Sequence, residues 1–529
     1  LLTTSTSGKI HCGPTMDFLC CRKIFLRPRG EVNIDMTYRY DNSEVDRWAF
    51  GTRSIHAGQP VDATGARNMP IYNTASYVFD SCENAAKRFS LAEAGPIYTR
   101  LNNPTITALE ERMASLEGGS CAVAFASGMA AITATVLNLA SAGDHIVSSP
   151  RLYGGTITLF EFTLARLGIE VTFVDDPDDP QSWHDAVRPN TKLLFAESTA
   201  NPLADILDVP AVAAVAHEAK VPFVVDNTVP TAALIRPLEL GADIVVASLT
   251  KFYTGNSTGI GGIAIDGGTF DWTVTRDGQP IFPSFANPDP TYHGIVYADL
   301  DAMAFGVKLR VGVLRDIGGC LSPFNAWVTL QGLDTLELRI QRHCSNALKV
   351  AQFLADQPQV TKVNYPGLPS SPWYPVKEKL GLDGVGAVLS FDIKGGRKEA
   401  WAFIDALKLH SNVANIGDSR SLVVHPATTT HAQCDERGQE VAGITEATIR
   451  LSIGLESPED IIDDLKLGFA ALSQACSHLL LTPSLPGRRR LQRPTLIHDV
   501  RDTPWMPCAA PPRSTCMYTP SAHPGEEAW

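Results

Sequence analysis

Lys251 lies in Ala-Ser-Leu-Thr-Lys-Phe (247–252), at the end of an apolar run, and Asp226 ends another, Val-Pro-Phe-Val-Val-Asp-Asn-Thr (221–228). A lysine amine can condense with an aldehyde. Ser248 and Thr250, just before the lysine, can hold a phosphate through their hydroxyls. A buried strand-end aspartate can keep a pyridine nitrogen protonated, so that the ring takes up electrons. Together these are what pyridoxal phosphate (PLP) asks of a protein.

Further residues fit the same chemistry, each with a plainer alternative. Ser127-Gly128-Met129 follows one apolar run and opens a helical pattern. Backbone N–H groups and the helix dipole there make a phosphate cradle; an ordinary strand-to-helix turn is the alternative. Tyr98 and Arg100, in Tyr-Thr-Arg-Leu-Asn-Asn-Pro-Thr (98–105), offer a phenol and a guanidinium to the same phosphate, or are a surface aromatic beside a solvated charge. Tyr153, at the start of a helix, either stacks on the pyridine ring or is a core tyrosine. Arg450, in Ile-Arg-Leu-Ser-Ile-Gly (449–454), sits within an apolar run. A buried arginine needs an anionic partner, either a substrate carboxylate or an internal salt bridge.

The elements that must position these groups read as alternating strands and helices. Strand-like runs fall at 121–126, 144–148, 169–174, 192–197, 221–226, 243–248 and 260–265, with amphipathic helices between several of them, such as 209–220. Strands buried on both faces and alternating with helices imply a mostly parallel sheet. Ligands of such sheets sit beyond the carboxyl ends of strands. Glu197, Asp226 and Ser248 fall at such ends and Ser127 follows one. After about residue 318 the texture changes to helical patterns at 324–355, 398–409 and 457–474, with strand-like runs near 360–364, 386–393 and 447–453. This predicts a smaller α+β domain closing over the site. Gly259-Ile-Gly-Gly262 opens a strand and not a helix, so a dinucleotide-binding reading fails.

The 529 residues exceed one compact core, and 44% hydrophobic with 19% charged residues is an ordinary globular composition. The net charge of −13 argues against nucleic acid or an anionic membrane as partner. Eleven scattered cysteines without a Cys-x-x-Cys fit a reducing compartment, and no metal site is expected. The long apolar stretch 121–143 is broken by Ser127-Gly128, Thr133, Thr135 and Asn138, and predicts a strand, a turn and a helix rather than a membrane span. Residues 1–46 lack periodicity, and residues 477–529 are rich in Pro and Arg. The first is read as a disordered extension, with a transit peptide as the alternative and Met36 as a plausible start. Cys20-Cys21 is read as incidental, and the basic run 487–493 as part of a solvated tail, with an address signal as the alternative.

Ten segments in order resemble the Cys/Met-metabolism family of fold type I PLP enzymes, from about Ala49 to Leu472. They are 51–59 (Gly-Thr-Arg-Ser-Ile-His-Ala-Gly-Gln), 70–79, 98–105, 116–119 (Leu-Glu-Gly-Gly), 127–131, 153–156 (Tyr-Gly-Gly-Thr), 225–228, 248–251, 421–431 and 450–456. Within the family, the long segment 267–294, Cys-Leu-Ser-Pro-Phe-Asn-Ala (320–326), Arg-His-Cys-Ser-Asn-Ala (342–347) and Ala-Asn-Ile-Gly-Asp (414–418) resemble the O-acetylhomoserine sulfhydrylase branch. The chain departs from the family at Ala247 and Asn256, where histidine is usual; both positions bear on the packing around Lys251.

The resemblance implies an α/β fold type I transferase: a large domain with a mostly parallel seven-stranded sheet, and a smaller α+β C-terminal domain. The implied division is an extension at 1–46, an arm at 47–110 serving a neighbouring active site, a PLP-binding domain at 111–318, the smaller domain at 319–475 and a tail at 476–529. Lys251, Tyr153 and Asp226 are the implied catalytic residues. Tyr98, Arg100, Ser127, Gly128, Met129, Asn201, Thr228, Ser248 and Thr250 join them in holding PLP, with Asn201 directed to the ring oxygen. Asn415 and Arg450 would fix the substrate α-carboxylate. The implied reaction is γ-replacement, in which O-acetyl-L-homoserine and sulfide give L-homocysteine and acetate. Cystathionine γ-synthase or γ-lyase activity on the same scaffold is the alternative. Tyr98 and Arg100 imply an active unit of at least two subunits, with a homotetramer expected. The expected location is the cytoplasm, or the mitochondrion if the N-terminal extension is a transit peptide.

Overall fold

Seven short strands form the large sheet: β1 (Cys121–Phe125), β2 (His145–Ser148), β3 (Glu170–Phe173), β4 (Thr191–Glu197), β5 (Phe223–Asp226), β6 (Ile244–Ser248) and β7 (Gly262–Asp266). This is a computed structural model in which residues 37–38, 42–62, 64–434 and 436–480 are described. The spatial order is β1-β7-β6-β5-β4-β2-β3. β7 runs antiparallel to both of its neighbours, and every other pair is parallel. All seven predicted runs are strands, each within about two residues of its expected bounds, the usual uncertainty of strand ends.

The core explains why these strands are apolar throughout instead of alternating. Val245, Ile263 and Ile265 pack on one side with Ile106, Leu109, Met113 and Leu116 of α1 (Pro104–Glu117). Ile244, Val246 and Ala264, one residue out of step, pack on the other side with Ile132 and Val136 of α2 (Gly128–Leu139). Val225 and Leu194 meet Val212 and Val215 of α3 (Val209–Glu218). Side chains alternate across a strand, so a sheet covered on both faces must be apolar at every position. Each such buried aliphatic side chain contributes about 1.5–3 kcal/mol.

Beyond residue 318 the longer helices are α4 (Pro323–Leu333), α5 (Leu336–Ala355), α6 (Arg397–Asp405) and α7 (Pro458–Leu480). The stretch 324–355, expected as one helical pattern, is two helices. The chain breaks at Asp334 and Thr335, where the Asp334 carboxylate pairs with Arg112 of α1 at 2.8 Å. That contact is tertiary and leaves no mark on local periodicity. The second sheet has β8 (Val360–Asn364), β9 (Val388–Ile393), β10 (Ser411–Asn412), β11 (Leu422–Val424) and β12 (Thr448–Ser452), in the order β8-β9-β12-β11-β10. β10 and β11 are too short to have been read from alternation.

Leu389, Phe391 and Leu451 of this sheet share one apolar cluster with Val245 and Ile265 of the large one. The described residues up to Ser477 form one compact unit, and the two sheets lie on either side of residue 318 in sequence. The expected 110/111 boundary falls inside α1. Residues 1–46 include a two-residue strand, Thr37–Tyr38, paired with Pro60–Val61, and a short helix, Asn42–Val45, whose Val45 is buried. Residues 121–143 are β1, a turn and α2, and no helix among the described residues is long and apolar enough to cross a membrane. Cys20-Cys21, Met36, the proposed transit segment before it and the basic run 487–493 lie outside the described residues.

Candidate active site

Four carboxyl ends of strands deliver the predicted site. β5 ends on Asp226, β6 on Ser248 and β4 on Glu197, while Ser127 follows β1. Ser127 is extended and caps α2, its hydroxyl accepting the Ala130 N–H at 3.1 Å. Gly128 is required next to it: a Cβ there would stand 2.7 Å from the Ser248 Cβ. The α2 N-terminus and the lysine segment therefore lie in contact.

Thr228 ties two strand ends together. Its hydroxyl donates to Asp226 Oδ1 at 2.5 Å and accepts the Ser248 N–H at 2.8 Å, and its own N–H reaches Asp226 Oδ1 at 2.9 Å. Asp226 lies opposite Glu197 in the β4–β5 register. Burial raises Asp226 to about 6, against the pull of the Thr228 donors. Glu197 is raised well above its usual range by burial first and by Asp226 second. Two carboxyls side by side in a dry site cannot both ionise easily, so the proton goes to Glu197 and Asp226 keeps the charge. That leaves Asp226 able to pair with a protonated ring nitrogen.

Lys251 follows β6 in a turn, and its Nζ donates to Asn415 Oδ1 at 2.7 Å. Burial, then the charge of Arg450, lowers the Lys251 amine to about 8. A lysine so tuned is a nucleophile and base close to neutral pH. The loop carrying Asn415 reaches it because residue 417 is glycine. Its φ is +76°, and a Cβ would lie 2.5 Å from the Phe252 nitrogen and 2.8 Å from the Lys251 carbonyl carbon.

Arg450 of β12 is 1% exposed, and among the described residues no carboxylate pairs with it. The internal salt bridge considered as its alternative partner is therefore not formed. Its Nη1 donates to Asn201 Oδ1 at 3.3 Å and its Nη2 to the Asn415 carbonyl at 2.7 Å, while its Nε is buried without a partner. Burial lowers it to about 10, which still leaves it charged at neutral pH. Tyr153 is 45% exposed, which excludes the core reading, and its N–H donates to Glu197 at 2.5 Å.

The remaining predicted residues are placed less simply. Thr250 has its hydroxyl paired with the Gly261 backbone, donating at 3.3 Å and accepting at 3.1 Å. The Met129 sulfur accepts from Thr156 at 3.9 Å. Asn415 turns its side-chain NH2 to Ser257 at 2.9 Å and its oxygen to Lys251, so only its backbone carbonyl meets Arg450. Tyr98 and Arg100 stack on each other at 5.0 Å, Tyr98 is exposed, and the Arg100 Nε is buried without a partner. Neither forms a hydrogen bond with Lys251, Asp226 or Ser248 of its own chain.

Several residues escaped the sequence reading. Glu117, buried and raised to about 7 by burial, accepts from Asn227 at 3.0 Å and Tyr253 at 2.9 Å, bracing the Asp226 strand end against the lysine loop. His431 is buried, and is lowered to about 4 by burial and then by Arg450. Both lie in motifs quoted above, but only the fold shows what they face. Ser257 and Asp418 join the Asn415 amide through hydrogen bonds.

The donors fit PLP. The buried Arg450 Nε is unpaired, the Gly128 cradle excludes a side chain and lies against the Ser248 hydroxyl, and Thr228 links the Asp226 carboxylate to the same strand end. Comparison with known proteins agrees. A family model described as Cys/Met metabolism PLP-dependent enzyme matches residues 51–470. An O-acetyl-L-homoserine sulfhydrylase of Corynebacterium glutamicum is 66% identical over 435 residues, 82% of this chain and 100% of that protein. One of Leptospira meyeri is 48% identical over 78% of this chain and 95% of its own length. A crystal structure described as an O-acetylhomoserine (thiol)-lyase of Campylobacter jejuni, carrying a pyridoxyl-lysine phosphate, superimposes with a TM-score of 0.77 at 40% identity, covering 80% of this chain and 100% of that one.

Proposed function

The chain belongs to the Cys/Met metabolism family of PLP-dependent enzymes, and from that premise we propose that it converts O-acetyl-L-homoserine and sulfide to L-homocysteine and acetate. The observation that carries the reading is the Lys251 amine, buried beside Arg450 and lowered to about 8, in a chain so similar to sulfhydrylases. In the reaction the Cγ–O bond of the ester breaks, acetate leaves with the electron pair, and hydrosulfide sulfur bonds to Cγ. No oxidant or reductant is needed.

Lys251, Asp226, Ser248, Thr228 and the α2 N-terminus would hold the cofactor, with Tyr153 against its ring and Asn201 at its ring oxygen. When bound, PLP supplies an aldehyde for amine capture and a ring that takes up the electrons released at Cα and Cβ. The chain's own groups do the rest. Arg450 binds the α-carboxylate of the amino acid in a site whose dryness strengthens the pairing. Lys251, once free, takes the Cα proton at Nζ and returns one later. Asp226, held ionised by Thr228 and by the proton on Glu197, keeps a positive charge on the ring nitrogen. Tyr153, 45% exposed, is read as the residue that helps deprotonate the incoming amine.

The active unit is at least a dimer, in which Tyr98 and Arg100 serve the phosphate of a neighbouring subunit. Support comes from the unpaired Arg100 Nε and from exposed apolar side chains on the same segment of chain, Ile71, Val78 and Tyr98. Cys82, Cys121, Cys320 and Cys344 are free thiols, which supports a reducing compartment, and the proposed location is the cytoplasm.

The test is a visible absorption spectrum of the purified protein, followed by O-acetylhomoserine and then sulfide, with products separated by chromatography. A band near roughly 420 nm that shifts with the ester and recovers as homocysteine appears is expected. Release of 2-oxobutyrate without sulfide consumption would replace the reading with γ-elimination. Lys251→Ala should lose the band and lower turnover by at least about 10³-fold; near-normal turnover in that variant would overturn the mechanism.

A further inference from the structure

We propose that Ser257 and Asp418 are positioning residues that fix the direction of the Asn415 amide, and so present its oxygen and not its NH2 to the Lys251 amine. This rests on the reading of Lys251 given above and concerns residues to which that reading assigns no role.

The direction follows from the far end of the chain of contacts. Asp418 Oδ1 accepts from the Arg420 N–H at 3.0 Å, from the Arg420 guanidinium at 3.3 Å and from the Ser419 hydroxyl at 3.2 Å. Its Oδ2 accepts from the Ser257 hydroxyl at 2.5 Å. Burial alone would raise Asp418, but the Ser257, Arg420 and Ser419 donors outweigh it and hold the carboxyl below its usual value. It is therefore ionised at neutral pH and can only accept. The single hydroxyl proton of Ser257 is thus committed to Asp418, and its oxygen can only accept from Asn415. The Asn415 atom 2.9 Å away must be Nδ2. Oδ1 is then left facing Lys251 Nζ at 2.7 Å. An amide end cannot be assigned from shape alone, but a one-way chain of donors assigns it.

The backbone is shaped for this contact. Ser257 has a φ of +58°, a region a serine rarely enters, and its hydroxyl bridges Asp418 and Asn415. Asn415 is fixed at its other groups too: its N–H donates to the Val413 carbonyl at 2.8 Å and its carbonyl accepts from Arg450. Only the amide could turn, and Ser257 prevents it.

Replacing Asp418 by asparagine makes the chain reversible. The new amide can donate to Ser257, the hydroxyl can then donate to Asn415 Oδ1, and Nδ2 swings toward Nζ. Two donors would face each other, which favours the neutral amine because its lone pair can accept. Arg450 is the charged group acting on Lys251, and Arg420 and His343 are those acting with Asp418; all three are unchanged in this variant.

The experiment is competitive acetylation of the full chain after cofactor removal, across pH, read at the Lys251 peptide by mass spectrometry. The pH profile of kcat is measured on the cofactor-loaded protein alongside. Asp418→Asn should lower the Lys251 midpoint by about one pH unit, a tenfold change in its proton affinity. Ser257→Gly cuts the chain and also suits the positive φ, so it should fold. In that background Asp418→Asn should add no further shift. A midpoint moving by less than about 0.2 unit in Asp418→Asn, against the roughly one unit expected of a reversed donor, overturns the proposal. So does an equal shift with and without Ser257, because Asp418 would then act through space. Absence of the visible band in the unaltered protein would overturn the proposed function instead, while the acetylation comparison still decides the orientation.

Discussion

Arg450 shows how one residue takes its meaning from what surrounds it. An arginine in an apolar strand is costly unless paired, since an uncompensated buried charge is worth several kcal/mol. Here two neutral oxygens, from Asn201 and Asn415, hold the guanidinium in place while Nε stays open. That arrangement is poised for a carboxylate from outside. Arg450→Lys keeps the charge and loses the fork, so KM for O-acetylhomoserine should rise about 10- to 100-fold, or roughly 1.4–2.8 kcal/mol. The visible band should persist, because Lys251 is untouched. An unchanged KM would mean that the carboxylate binds elsewhere. The residue type and its apolar setting were legible in the chain, whereas the absence of a carboxylate partner became visible only once β12 lay beside Asn201 and the Asn415 loop.

At the scale of elements, the strand ends are held by side chains that span long sequence distances. Thr228 joins β5 to β6, and Glu117 joins the end of α1 to both the Asp226 strand end and the lysine loop. The smaller sheet has an equivalent brace. Asp464 of α7 accepts the N–H groups of Lys408 at 2.7 Å, Leu409 at 2.9 Å and His410 at 3.0 Å, and the His410 ring at 2.8 Å. Burial opposes its ionisation, but the His410 ring and these backbone donors prevail and hold the carboxyl far below its usual range. Its folded value lies below its unfolded one, so the stability it contributes is present above about pH 4 and is lost as the pH falls below that. Asp464→Asn should cost about 1.5–3 kcal/mol at pH 7, the range for hydrogen bonds to a charged group. Thermal melting at pH 7 and pH 3 checks this: the two proteins should differ clearly at pH 7, and the gap should narrow at pH 3 without closing, because the folded carboxyl is still ionised there. An equal gap at both values would count against the brace.

At the scale of the whole molecule, the two sheets share one apolar cluster, so the lysine strand and the Asn415 loop are set by the same packing. On the phosphate side, Tyr98 and Arg100 stack on each other and form no hydrogen bond with Lys251, Asp226 or Ser248 of their own chain. If they serve a neighbouring subunit, two inactive variants should rescue each other. Arg100→Ala and Lys251→Ala chains, unfolded and refolded together, would place an intact Lys251 and a foreign Arg100 in one site of each mixed dimer. With random pairing in a symmetric dimer, about a quarter of the normal activity should return. No recovery, in mixtures shown to exchange subunits, would place both residues in their own chain's site or outside any site.

The strands were legible in the chain, because burial on both faces leaves uninterrupted apolar runs, and so were Asp226 and Ser248, on which such runs end, with Lys251 just beyond. The sequence by itself also carried the family, through ordered motifs. The tertiary structure alone decided the break between α4 and α5, the two short strands of the smaller sheet and the partners of Arg450. It also decided the one-way link from Asp418 through Ser257 to Asn415 and Lys251. The reason is range. Periodicity records which face of an element is buried, but a hydrogen bond between residues 158 or 164 positions apart depends on where two loops meet, and no local pattern encodes that.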